Sequence, residues 1–155
     1  IEKQNITGNV NYEPENHQLM VKIRQEKVDK IAEYIPEQKL DSGPEKGKIL
    51  VLGWGSTYGA IKSAVLKARE KGIDVTSAHL RHIRPFPKNL GEFLNNYDQV
   101  LIPEMNRGQL IKMIREKYLV PAIGLNKVQG LPFSAEEILA RTLPALQSRL
   151  SLKSC

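Results

Sequence analysis

The chain has 155 residues, 41% of them hydrophobic and 26% charged, which suits one domain with an ordinary core plus a short appendage. No apolar run approaches the roughly 20 residues of a membrane helix, and the single cysteine, Cys155, excludes a disulfide framework and a cysteine-held metal or iron–sulfur site. The net charge of +6 is uneven: residues 1–46 hold 7 basic and 9 acidic residues (−2), residues 47–155 hold 16 and 8 (+8). A basic globular part fits an acidic protein partner, nucleic acid or simply a solvated surface; no basic block is interleaved with stacking aromatics, which argues against nucleic acid.

The start, IEKQNITGN, has neither an apolar signal core nor an initiator methionine, so the sequence reads as a piece of a longer cytosolic protein. Residues 1–13 show no period and are expected to form an extended lead-in. From Pro14 a helical pattern runs to residue 35, with Leu19, Met20, Ile23, Ile31, Ala32 and Ile35 near helical spacing and a charged opposite face. Such a helix needs an apolar surface to lie on. Residues 36–47 form a turn-rich connector whose QKLD core could add a short edge strand.

From Lys48 to the end, short apolar runs alternate with helical patterns, the signature of βαβ units and a mainly parallel sheet. Strands are expected at 49–52, 73–80, 99–103 and 122–125. Helices are expected at 57–71, capped by Gly72, within KNLGEFLNN, after Asn106, and from a Ser134/Glu137 capping box onward, with Pro144 placed to kink or divide the last one. The domains therefore read as residues 1–35, 36–47 and 48–155.

The most informative stretch is KILVLGWGSTYGAIK, a strand entering a glycine loop that opens a helix. Gly53, Gly55 and Gly59 have the spacing GxGxxxG, one residue longer than the common dinucleotide fingerprint. Gly53, Gly55, Ser56 and Thr57 are candidate anion or cofactor contacts at the helix start. Arg81, His82 and Arg84 after the second strand suit a 2′-phosphate, and hence NADP, better than a bare ribose. Bulky Trp54 favours the other reading, a packing turn without ligand, in which Ser56 caps the helix and Gly59 lets helix and strand approach. If the strands are parallel, Arg81, His82, Arg84, Glu104, Asn106, Arg107, Asn126 and Lys127 join Ser56 and Thr57 in a polar rim at the carboxyl ends, suited to contacts with another chain. Among the histidines, His79 reads as a buried, hydrogen-bonded strand residue. His82, in a loop between arginines, is the better base candidate, but no partner carboxylate is assignable.

The runs GNVNYEPENHQLMVKIRQEKVDKIA, LGWGSTYGAI, LRHIRPFPKNL, IPEMNRGQL and NKVQGLPFSAEEI, in that order, resemble the C-terminal part of the alpha subunit of 2-oxoacid:ferredoxin oxidoreductases, especially the 2-oxoglutarate type. MNRG stands where an LNLG-like sequence is usual, a local departure at Arg107. The resemblance implies a transketolase C-terminal-like domain: three-layer α/β/α, with a mostly parallel five-stranded sheet whose antiparallel edge strand is QKLD. It implies an architectural role with no catalytic residue, cofactor or metal in this chain. Thiamine diphosphate, Mg2+ and iron–sulfur clusters would lie elsewhere in a cytoplasmic complex. Its implied partners are the N-terminal pyrimidine-binding domain of the same subunit, a beta subunit, ferredoxin and coenzyme A.

Overall fold

A computed structural model describes residues 1–147, so Cys155 lies outside the described residues. The chain divides into two compact units, Ile1–Glu37 with His82–Lys88, and Gln38–Arg81 with the chain from Asn89 onward.

In the first unit the expected lead-in is a small antiparallel hairpin, β1 (Glu2–Lys3) with β2 (Val10–Asn11). Its loop closes through bonds from Gln4 N to Asn9 O (2.7 Å) and from Gly8 N to Gln4 O (3.0 Å). Helix α1 (Pro14–Lys30) begins at Pro14, whose fixed φ and missing N–H suit a first turn, and passes into a 3₁₀ turn at Ile31–Glu33. Arg24 pairs with Glu2 on β1 and holds that carboxyl down at about 2. No residue of α1 is buried. Its apolar side is a half-buried stripe of Met20, Ile23 and Val28, whereas Leu19 and Ile31, expected on that side, are exposed.

In the second unit, β3 (Gly47–Trp54), β4 (Val75–Leu80), β5 (Tyr97–Glu104) and β6 (Ala122–Asn126) form a parallel sheet in the order β4-β3-β5-β6. Between them run α2 (Tyr58–Glu70), α3 (Leu90–Asn95) and α4 (Gln109–Tyr118), and α5 (Ala135–Gln147) follows. Side chains alternate across each strand. Ile49, Val51 and Leu101 meet Ile61, Ala64, Val65 and Ala68 of α2 and Ile138 and Leu139 of α5. Leu50, Leu52, Val100 and Ile102 are the buried residues of the opposite parity, and α3 and α4 bring buried Leu90, Leu94, Leu110 and Ile114. Because βαβ crossovers are right-handed, reversing the direction of strand addition after β4 moves the helices to the other face. The helix sandwich follows from that reversal.

The fifth strand is not formed. The connector makes one isolated antiparallel bridge, from Ser42 just past QKLD to Ser77, and of QKLD itself Asp41 N donates to Ser77 O (2.9 Å). Gly43 then turns away at φ 108°, so close to β4 that a Cβ there would lie 2.5 Å from Thr76 Oγ1, and Pro44 has no N–H to continue a ladder. Pro144 does not divide α5, which runs on to Gln147.

Candidate functional site at the topological switch point

The chain leaves β3 for β4 on one side and then crosses to β5 on the other. The crevice between the carboxyl ends of β3 and β5 is therefore the switch point at which open α/β sheets bind ligands. Trp54, Gly55, Ser56 and Thr57 line it from one side and Met105 and Asn106 from the other, around an open depression of 250 Å³. That is below the roughly 300–1,000 Å³ of ordinary small-molecule sites.

The glycine loop is built for packing. A Cβ at Gly53 would lie 2.4 Å from Ile61 Cδ1 and 3.0 Å from both His79 Nδ1 and Thr57 Oγ1, so any larger residue where β3 meets α2 must displace the end of Ile61. Gly55 takes φ 60° in a 3₁₀ turn, Gly55–Thr57. Gly59, expected to provide the close approach, is exposed with open space around it; Gly53 provides it instead. Thr57, not Ser56, closes the turn, its hydroxyl donating to Trp54 O (2.9 Å) and accepting from Trp54 N (3.2 Å). Ser56 is exposed, and its hydroxyl points to Met105 Sδ at 3.7 Å.

Across the crevice, Glu104 is not a rim residue. Its carboxylate is buried and accepts from Leu110 N (2.7 Å) and Ile111 N (3.1 Å). Asn106 Oδ1 accepts from Gly108 N (2.8 Å) and Gln109 N (3.0 Å). These two side chains take up the four amides that begin α4, which an anion would otherwise use. Lys127 is likewise engaged. Its Nζ donates to Pro132 O (3.1 Å) and to both oxygens of Glu137 (2.8 and 2.9 Å), and Glu137 forms the expected capping box with Ser134. Arg81 and Arg107 are exposed; His82 and Arg84 are in the first unit, and both are exposed.

At His79, expected as a buried, hydrogen-bonded strand residue, the buried Nδ1 has no hydrogen-bond partner, while the Gly55 backbone interacts with the ring. The ring stands edge-on to Tyr58 at 5.1 Å, and burial pushes its pKa below 6.5 against the opposing pull of Asp41. Burial pushes Asp41 above the usual carboxylate range. Among the described residues no group of three or more His, Cys, Asp or Glu is placed to hold a metal ion. With its first four amides taken by Glu104 and Asn106, the start of α4 does not fit a diphosphate.

Sequence reasoning missed the exposed Val128 and Leu131 in the loop after β6. Their signal was present in KVQGLP: two aliphatics flanking a Gln-Gly turn, where polar residues are the rule.

Residues 47–138 match the family described as pyruvate:ferredoxin oxidoreductase core domain II. The chain is 44% identical over 151 residues to the 2-oxoglutarate oxidoreductase subunit KorA of Mycobacterium tuberculosis, covering 97% of this chain and 23% of that protein. It is 36% identical over 123 residues to the 2-oxoglutarate synthase subunit KorA of Methanocaldococcus jannaschii, covering 72% of this chain and 31% of that one. A solved 2-oxoglutarate:ferredoxin oxidoreductase from Magnetococcus marinus, with 2-oxoglutarate, coenzyme A and succinyl-CoA bound, is similar over 94% of this chain and 26% of its own, with TM-score 0.84 and 26% identity. A split-gene transketolase, an inactive beta4 tetramer, matches 64% of this chain and 38% of its own at TM-score 0.53 and 16% identity, a likeness of fold alone. The chain thus spans 23–31% of the length of the two KorA relatives.

Proposed function

Since the chain belongs to the pyruvate:ferredoxin oxidoreductase core domain II family, we propose that it is the noncatalytic, architectural C-terminal domain of the alpha subunit of a thiamine-diphosphate-dependent 2-oxoacid:ferredoxin oxidoreductase. The complex would oxidatively decarboxylate 2-oxoglutarate to an acyl-CoA and pass electrons to ferredoxin. The substrate class comes from the KorA relatives and from the solved 2-oxoglutarate enzyme. One observation carries the architectural reading: four of the polar side chains at the switch point, where a ligand would sit, are spent inside the fold. Glu104 and Asn106 saturate the start of α4, Thr57 closes the turn after β3, and Lys127 clasps Glu137. The domain's contribution is to hold the pyrimidine-binding domain and the beta subunit, which would carry the cofactor site, in register.

The test is turnover with 2-oxoglutarate, coenzyme A, thiamine diphosphate, Mg2+ and a viologen acceptor. The complete alpha–beta enzyme reduces the viologen, and the chain alone does not. Deleting residues 38–155 from the alpha subunit prevents assembly. Turnover by the chain alone would overturn the noncatalytic reading, and a fully assembled, active truncated enzyme would overturn the architectural one.

A further inference from the structure

Beyond the crevice, three features meet where β5 and β6 end. The loop after β6 is braced: Lys127 N donates to Glu104 O (3.0 Å), Lys127 Nζ spans to Pro132 O (3.1 Å), and Phe133 is buried at its far end. Yet Val128 and Leu131 stand 68% and 64% exposed on it. Two large aliphatic side chains on a stiffened loop lose little freedom when another surface covers them, which is the property of an interface anchor. The loop after β5 is tied to the end of β6, where this loop begins, by Asn126 Nδ2 donating to Asn106 O (2.9 Å), and Met105 and Arg107 flank Asn106 in sequence.

Charge supplies the third feature. Glu104 is consumed on the α4 amides and Glu137 on Lys127. Arg107 is exposed and has no hydrogen-bond or ion-pair partner among the described residues. The edge therefore offers apolar anchors beside an uncommitted guanidinium, complementary to a partner with an apolar recess bordered by carboxylates.

We propose that Met105, Arg107, Val128 and Leu131 form a docking surface for an acidic segment of another protein chain. Val128 and Leu131 fill an apolar recess on that chain and Arg107 pairs with a carboxylate at its border. The inference rests on the proposed function, because the acidic segment belongs to another subunit of the same complex.

The test uses the whole complex, purified through a tag on the alpha subunit. Arg107→Glu raises the dissociation constant of assembly about tenfold at low ionic strength, with the difference shrinking in added salt. Leu131→Asp raises it about tenfold or more at both ionic strengths. Melting of each variant subunit stays within a few degrees of the parent, because both side chains are exposed. A photo-crosslinker in place of Leu131 joins the complex to a partner peptide containing Asp or Glu. Unchanged dissociation constants in both variants, or a crosslink only to a carboxylate-free peptide, would overturn the docking surface while leaving the proposed function standing. A wild-type alpha subunit that purifies without other subunits would overturn both.

Discussion

Gly53→Ala tests whether the glycine loop exists for packing. The added Cβ would sit 2.4 Å from Ile61 Cδ1, against the roughly 3.5–4.0 Å of a relaxed carbon contact, so the methyl must withdraw by about 1 Å. Ile61 is 3% exposed among Ala64, Val65 and Val51 and sits in a filled core. The other two neighbours cannot yield freely, because Thr57 Oγ1 is bonded to both the N–H and the carbonyl of Trp54 and His79 is set edge-on against Tyr58. Overpacking of this kind costs about 1–3 kcal/mol. At about 2–4 °C per kcal/mol for a chain of this size, the melting temperature falls by about 4–8 °C for a cost near 2 kcal/mol. Removing the offending methyl restores part of the loss. Ile61→Val alone costs about 1 kcal/mol, but in the Gly53→Ala background it costs less or even stabilises, a coupling of about 1 kcal/mol. Gly59→Ala is the internal control, since open space and an unstrained φ in a helix make it neutral or stabilising by up to about 1 kcal/mol. Thermal unfolding followed by circular dichroism reads the parent and each variant. Strictly additive costs for Gly53→Ala and Ile61→Val would refute the reasoning.

Two further outcomes follow from buried polar groups. Glu104→Gln keeps one acceptor for the α4 amides but turns an NH₂ toward the other, so it destabilises by about 2–3 kcal/mol and speeds amide exchange at Leu110 and Ile111; unchanged exchange there would show that the carboxylate does not hold the helix. The depressed pKa of His79 means that the unfolded chain takes up a proton before the folded one, so this group's contribution is present above pH 6.5 and lost as pH falls through the folded pKa. Asp41, with its raised pKa, acts in the opposite sense as pH rises above 3.8, and Tyr58 meets the His79 ring edge-on. Urea unfolding of wild type and His79→Gln between pH 8 and pH 5 isolates the histidine: the parent loses more stability than the variant, and parallel profiles would contradict the assignment.

The sheet was legible in the sequence because its strands are near-continuous apolar runs and its helices carry a clear stripe, as in ILVL and Ala64–Val65–Ala68. The edge strand was not, because QKLD has strand-compatible residues and only the following Gly43 and Pro44, through a turn made against Thr76, decide that pairing stops after one bridge. Glu104 and Lys127 read as rim charges because sequence position places them at strand ends. Whether a charge at a strand end faces water or turns back on a helix start depends on the next loop. Here Gly108, at φ 78°, sets α4 so that its amides meet Glu104. The Ser134/Glu137 box was readable because both partners lie three residues apart on one segment, whereas Lys127 joins it from ten residues away.

The two edges of the main sheet are treated differently, and that sets the direction in which the assembly can grow. At β4 the connector bonds back at Ser42, and the side chain of Gln38 also reaches the strand at His79 O (3.2 Å), so few ladder groups are left for a newcomer. At β6 the ladder ends, among the described residues, with a five-residue strand that pairs only with β5. An unpaired edge invites another strand, and shortness is one way proteins limit that invitation. This region expressed on its own would associate through β6 as its concentration rises, whereas a strand added in design at that edge would convert the sticky side into a closed one.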